Sequence, residues 1–412
     1  MMNRKKKIVI IGGGLAGLAL AMKFCERNGE VTVVSYQSLK RSHSVCAQGG
    51  INAAIDAKNE GDSPEKHFYD TIKGGDFLAH QPLVRDMCYQ APAIIHLMDR
   101  MGVAFNRTGE GHLDFRRFGG TLYNRTAFAG ATTGQQLVYA LDEQVRRNIH
   151  DGNATALEWH EYLGAVLDSD GICRGAVIHD LKTDEIYTLP ADAVVLATGG
   201  PGQVYGRSTN SVVNTGAAAT TAYLQGAKYA NGEFIQIHPT AIPGQDKLRL
   251  MSESARGEGG RVWVPRKVDD KRDPKKIPEN ERFYFLEEKY PLFKNLVPRD
   301  VASREIYDIV YNQNMGVDGD PMVYLDLTHK SREFLDNRLG GIMDIYTKFT
   351  GVDPRDHPMK IFPAVHYSMG GLWTDYGPDQ NGLIDHGSPR NQMTSITGLF
   401  AAGEAVDRKS VV

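Results

Sequence analysis

The run KIVIIGGGLAGLALAM, residues 7–22, decides the fold. Lys7 to Ile11 is a short, continuously apolar stretch, the pattern of a strand buried on both faces. Gly12, Gly14 and Gly17 follow in G-x-G-x-x-G spacing, and the chain continues as an amphipathic helix to Asn28-Gly29. Val31 to Ser35 (VTVVS) reads as the next strand. Together they make a complete strand–turn–helix–strand unit of about 30 residues. The glycines allow the tight turn, the approach of backbone to a pyrophosphate and close helix–strand packing. The helix start then aims free N–H groups at phosphate. Where such units end the second strand in an acid for the adenosine ribose, Ser35 stands instead. FAD, NAD and NADP stay open on this unit alone.

Composition narrows the class. The chain has 412 residues, enough for two or more domains, with 41% hydrophobic and 24% charged residues, as in a globular protein. A net charge of -3 gives no support for a nucleic-acid binder, whose footprint is a strongly basic face, and cations for an anionic ligand must be gathered locally. Four scattered cysteines (Cys25, Cys46, Cys88, Cys173) have neither metal-ligand nor disulfide spacing, which suits a reducing compartment. No metal site is expected. The basic flank Arg4 to Lys7 before the apolar run imitates a signal peptide, but 15 apolar residues with glycines at their centre are too few for a membrane span.

Two further strands belong with the first unit. ADAVVLATGGPG (191–202) runs into Thr198, Gly199 and Gly200, after a three-strand meander of EYLGAVLD, CRGAVIHDL and EIYTLPA turned at Ser169-Asp170-Gly171. GLFAAGEAVD (398–407) is a late buried strand that reaches Glu404, positioned to accept a ribityl hydroxyl. The fold expected is α/β, a Rossmann-like FAD-binding domain interrupted by an inserted α+β capping domain. The flavin domain covers 1–244 and returns at 366–407. The cap covers 245–365 and is rich in charge and proline, as in VPRKVDDKRDPKKIPENER (264–282).

Six blocks in register carry a resemblance: HSVCAQGGINAA, LDFRRFGGTLYNRTAFAGATTGQQL, GEFIQIHPTAIPG, SESARGEGG, LVPRD and AVHYSMGGL. The chain resembles the flavoprotein subunit of succinate dehydrogenase and fumarate reductase, closest to the bacterial menaquinone-linked branch. The resemblance implies covalent FAD, bonded through the ring nitrogen of His43, with Ser44, Gln48, Gly49 and Gly50 lying against the flavin. It implies that His238, His366 and Ser252 bind the substrate carboxylates and that Phe118 presses the substrate on the ring, near Gly49. Arg299 matches the acid–base group, with Glu253 and Arg256 as its proton relay. Arginine side chains stay protonated in proteins, and such an acid suits a strongly basic carbon. Closure of the cap onto the flavin would expel water.

The same resemblance implies succinate and fumarate as substrates, an iron–sulfur subunit and a cytochrome b membrane anchor as partners, and a cytoplasmic place on the inner membrane face. Departures are Asn214-Thr215-Gly216-Ala217-Ala218, which lacks an expected aspartate contact to FAD, and the end of the chain. The family continues into an arginine-bearing block and a helical region. This chain stops at VDRKSVV, so a missing helical domain, a non-native tail at 408–412 and little turnover are expected. The rivals are a noncovalent L-aspartate oxidase-like enzyme and an inactive flavin-binding fragment.

Overall fold

The computed structural model describes residues 4–245 and 249–407. The expected tail at 408–412 lies outside them. The strand β1 (Lys7–Ile11) is the centre of a five-stranded, wholly parallel sheet. On one side lies β2 (Glu30–Ser35) and beyond it Ala154–Glu158; on the other lie Ala193–Leu196 and then Leu399–Ala401. The late GLFAAGE strand therefore returns to the sheet, as expected.

The continuous apolar run of β1 has a direct cause. Ile8 and Ile10 pack on one face against Leu18 and Met22 of α1 (Leu15–Glu26) and Leu137 and Leu141 of the helix Thr133–His150. Val9 and Ile11 point the other way, onto Tyr162, Ala176 and Ile178 of the meander. Alternation in a strand that is covered twice leaves no polar position. The meander is antiparallel, His160–Leu167 with Cys173–Asp180 with Ile186–Pro190. Its first turn is held by Asp168, whose carboxylate accepts from the N–H groups of Asp170 and Ile172. The basic flank is tied down: Arg4 pairs with Asp192 and Lys7 with Glu30.

A second, antiparallel sheet runs Ile235–Ala241, Met359–Ser368, Val323–Asp326, Arg261–Pro265, Arg282–Phe283. Its core gathers around the fully buried Trp263, with Leu325, Leu339 and Ile342, and is separate from both cores of the first sheet. The charged stretch 264–282 lies over this sheet as ion pairs and stacked guanidiniums. Arg261 holds Glu279 and Glu287, and the Arg282 guanidinium sits 4.6 Å from the Trp263 ring centroid. The pairing of Ile235–Ala241 with Met359–Ser368 slips twice, at Gln236/Ile237 and between His238 and Ala241. Such bulges re-aim side chains, and this strand pair carries Gln236, His238 and His366.

Candidate active site

The first turn needs its glycines for space. Gly12 has φ +116°, and a Cβ there would lie 2.2 Å from the Ala197 carbonyl; one on Gly17 would lie 2.0 Å from the Gly12 carbonyl. This crossing opens a cavity of about 540 Å³. Gly12, Gly14, Ser35, His43, Ser44, Thr198, Gly199 and Glu404 line it, joined by Gln37, Glu161 and Asn214. Gly200 lies beneath Glu404, where a Cβ would meet the carboxylate at 2.5 Å. The Glu404 carboxylate itself accepts from the Ser368 N–H at 3.0 Å.

His43 opens a short turn, His43–Cys46, which is clamped over the start of α1 because Ser44 Oγ accepts from the Leu15 N–H at 3.2 Å. The imidazole Nδ1 of His43 accepts from the Ser211 N–H at 3.2 Å, and Nε2 has no partner among the described residues. Burial lowers its pKa to about 4, so the ring is neutral at pH 7. Whether a dinucleotide fits is tested by the polar atoms around it. Ser42, on the cavity wall, has its Oγ buried with no hydrogen-bond partner among the described residues, and a buried polar atom without one is costly. The glycine cradle and this orphaned hydroxyl fit a dinucleotide.

The second cluster forms around Glu253, which is 3% exposed. Its Oε2 accepts from Arg299 Nε at 2.6 Å and its Oε1 from Arg256 Nη2. Gly119 makes room, since a Cβ there would stand 2.3 Å from that Oε1. Arg256 also donates to the carbonyls of Asn295 and Val297 at 2.9 and 3.2 Å. Arg299 Nη1 donates to Gln236 Oε1 at 2.7 Å, and Nη2 has no partner among the described residues. Burial pushes the Glu253 carboxyl up, but the two guanidiniums outweigh it and hold it below the usual range.

The rings of His238 and His366 meet edge to face at 4.9 Å. His238 Nδ1 accepts from the Thr240 N–H at 3.2 Å, which places its proton on Nε2, 3.8 Å from Glu253. His366 Nδ1 lies 2.6 Å from Thr209 Oγ1. Burial, then the charge of Arg299, holds both imidazoles far below their usual pKa and therefore neutral. With two guanidiniums against one carboxylate, the cluster keeps one net positive charge and offers N–H donors. That is an anion site.

Residues 7–410 match the family described as the FAD binding domain. The chain belongs to that family. FAD is the dinucleotide its cavity fits. This FAD-binding chain is 60% identical over 400 residues to the succinate dehydrogenase flavoprotein subunit of Bacillus subtilis, covering 97% of itself and 64% of the relative. It is 33% identical to the fumarate reductase flavoprotein subunit of Haemophilus influenzae, with 96% and 62% covered. Among solved structures it superposes on E. coli quinol fumarate reductase with a TM-score of 0.81 at 31% identity, covering 98% of itself and 65% of that chain. The chain thus spans a little under two thirds of these relatives. No described helix is long and apolar enough to cross a membrane, and no described group of His, Cys, Asp or Glu could hold a metal.

The FAD-binding chain brings its sequence-read residues into two neighbouring groups. Gln48, Gly49 and Gly50 lie off the dinucleotide cavity: Gly49 packs on the Phe118 ring, where a Cβ would lie 2.7 Å away, and Gly50 takes φ +136° against Ala127. Ser252 Oγ is bonded to Ser254 Oγ at 2.7 Å. Sequence reading missed Gln236, Thr240, Thr209 and Ser211, which orient Arg299, His238, His366 and His43. Gln236 had a signal, since it stands two residues before His238 on one strand and so shares its face.

Proposed function

We propose that this chain is the flavin- and dicarboxylate-binding part of a succinate dehydrogenase or fumarate reductase flavoprotein subunit, interconverting succinate and fumarate. The carrying observation is the cluster of half-buried Arg299 with buried Glu253 and Arg256, facing two neutral histidines, with the His43 imidazole on the wall of the adjoining FAD cavity. FAD, when bound, supplies the hydride acceptor for succinate and the hydride donor for fumarate. His43 would hold the flavin through Nε2, the nitrogen that Ser211 does not engage: a bond from Nε2 to the ring methyl would replace the N–H and one methyl C–H, with dioxygen taking the two hydrogens and their electrons. This favours the covalent reading over an L-aspartate oxidase-like one.

His238 and His366 stay neutral, so each gives an N–H to a carboxylate without titrating near pH 7. Ser252 Oγ adds a donor, and Phe118 closes the site beside Gly49. Arg299 gives a proton to the substrate carbon in one direction and takes it in the other. Glu253 and Arg256 return that proton toward solvent and hold the Arg299 guanidinium in place. Gly12, Gly14, Gly17, Thr198, Gly199 and Gly200 shape the dinucleotide cradle, and Glu404 takes a ribityl hydroxyl. Residues 1–244 and 366–407 act as the flavin domain, with 245–365 as the cap. An iron–sulfur subunit takes the electrons, and a cytochrome b anchor fixes the assembly to the cytoplasmic face of the inner membrane.

The direct test is ligand perturbation. Fumarate or malonate added to the FAD-loaded chain is expected to shift the flavin absorbance, and Arg299→Gln to weaken that binding roughly tenfold or more, the loss of one charge-assisted hydrogen bond. Flavin content should be unchanged. A spectrum that no four- or three-carbon dicarboxylate perturbs would overturn the reading.

A further inference from the structure

Three arginines in the flavin segment and the adjoining turn are almost fully buried, and they are treated differently. Arg125 is held by Asp62 at 2.7 Å and Asp70 at 2.8 Å, and Arg256 by Glu253. Arg116, 3% exposed, has no carboxylate partner among the described residues. Its Nε and Nη1 have no hydrogen-bond partner there either. Only Nη2 is used, donating to the carbonyls of Gly49 and, at 3.4 Å, Gln48. The guanidinium lies 4.0 Å from the Phe128 ring centroid and 5.6 Å from that of Phe118. Burial lowers its pKa to about 10, which still leaves it charged at neutral pH.

The carboxylates whose fields reach Arg116 are Glu258 and Asp114, and both are taken. Arg338, from the helix Arg332–Thr350 that packs into the core of the antiparallel sheet, holds Glu258 at 2.8 Å and Asp114 at 3.1 Å, and Lys58 adds a second hold on Asp114 at 3.0 Å. Three cations (Lys58, Arg338, Arg116) thus stand against two carboxylates, and the surplus charge falls on the member that is most buried and least paired. An unpaired buried charge is costly, and a site that keeps one keeps it for another group.

We propose that Arg116 is a positioning residue that holds the Gln48–Gly50 turn by its carbonyls and, as an uncompensated buried cation, raises the reduction potential of the bound flavin. The inference rests on the reading of this chain as a flavoprotein with its ring beside that turn. A positive charge in a low-dielectric surrounding favours adding electrons to its neighbour, and charge near a cofactor is a lever by which proteins tune its potential.

The test is a redox titration of the FAD-loaded protein, followed by flavin absorbance, beside Arg116→Gln, Arg116→Lys and Glu258→Gln. Arg116→Gln is expected to lower the midpoint potential, Arg116→Lys to stay near the parent, and Glu258→Gln to raise it by removing a carboxylate from the cluster. Shifts of opposite sign follow from charge and not from disturbed packing. If Arg116→Gln loses flavin while Arg116→Lys keeps it, the holding role is supported and Glu258→Gln still reports on charge. A Glu258→Gln midpoint equal to the parent's, or an Arg116→Gln midpoint that does not fall, would overturn the inference. A parent chain that takes up no flavin would instead overturn the flavoprotein reading beneath it.

Discussion

Histidine is used here in its neutral form, and burial is what keeps it so. Burial alone holds His43 uncharged, and burial together with the Arg299 guanidinium does so for His238 and His366, which leaves the site's one net positive charge for an anionic ligand. His67 obeys the same physics away from the site. It is 5% exposed, and burial, then the charge of Arg125, lowers its pKa to about 4. In the unfolded chain an imidazole protonates near pH 6.5, so between 6.5 and about 4 the unfolded state binds more protons. The stability this imidazole contributes is therefore whole above pH 6.5 and lost as pH falls toward 4. At pH 5 the loss is about 2 kcal/mol. Urea midpoints at pH 7.5 and pH 5 should differ more for the parent than for His67→Leu; equal differences would refute the assignment. None of this was legible in residue order, because a lone histidine in an amphipathic stretch gives no sign of its burial.

Elements were legible where one physical demand dominated. A strand covered on both faces has to be apolar throughout, which is why Lys7–Ile11 and Ala193–Leu196 stood out. The meander announced itself through the Asp170-Gly171 turn, where Gly171 takes φ +74°. Ala154–Glu158 did not, because ATALE suits a helix as well as a strand and only its pairing with Glu30–Ser35 decides. The two-residue strands Ile51–Asn52, Phe115–Arg116 and Thr126–Ala127 are set by contact across the chain and have no local pattern. The best-read element also makes the sharpest forecast. Gly17→Ala puts a methyl 2.0 Å from the Gly12 carbonyl, so α1 must move off β1. Thermal unfolding should show a loss of roughly 1–3 kcal/mol, the usual cost of overpacking, together with weaker FAD uptake. Unchanged melting and uptake would contradict the crossing described here.

At the scale of the whole molecule, the site exists only because two sheets with separate cores meet. His43, Ser44 and Glu404 come from the parallel sheet and its turns, while Glu253, Arg256 and Arg299 lie on the antiparallel side. His238 and His366 sit on the bulged strand pair that leads between them. Motif blocks made most of these residues legible one by one. Their partners, such as Gln236 with Arg299 and Ser211 with His43, were hidden because each pair is separated by tens of residues or more and joined only by packing. The central claim is that the imidazole on the cavity wall tethers the flavin that faces the guanidinium cluster. The intact mass of the chain after aerobic incubation with FAD, dioxygen being the oxidant, and acid precipitation tests this most directly. The account predicts a gain of one FAD less two hydrogen atoms, with the yellow fluorescence staying in the pellet, and neither in His43→Ser. An unmodified mass with all flavin in the supernatant, or a gain that persists in His43→Ser, would contradict it.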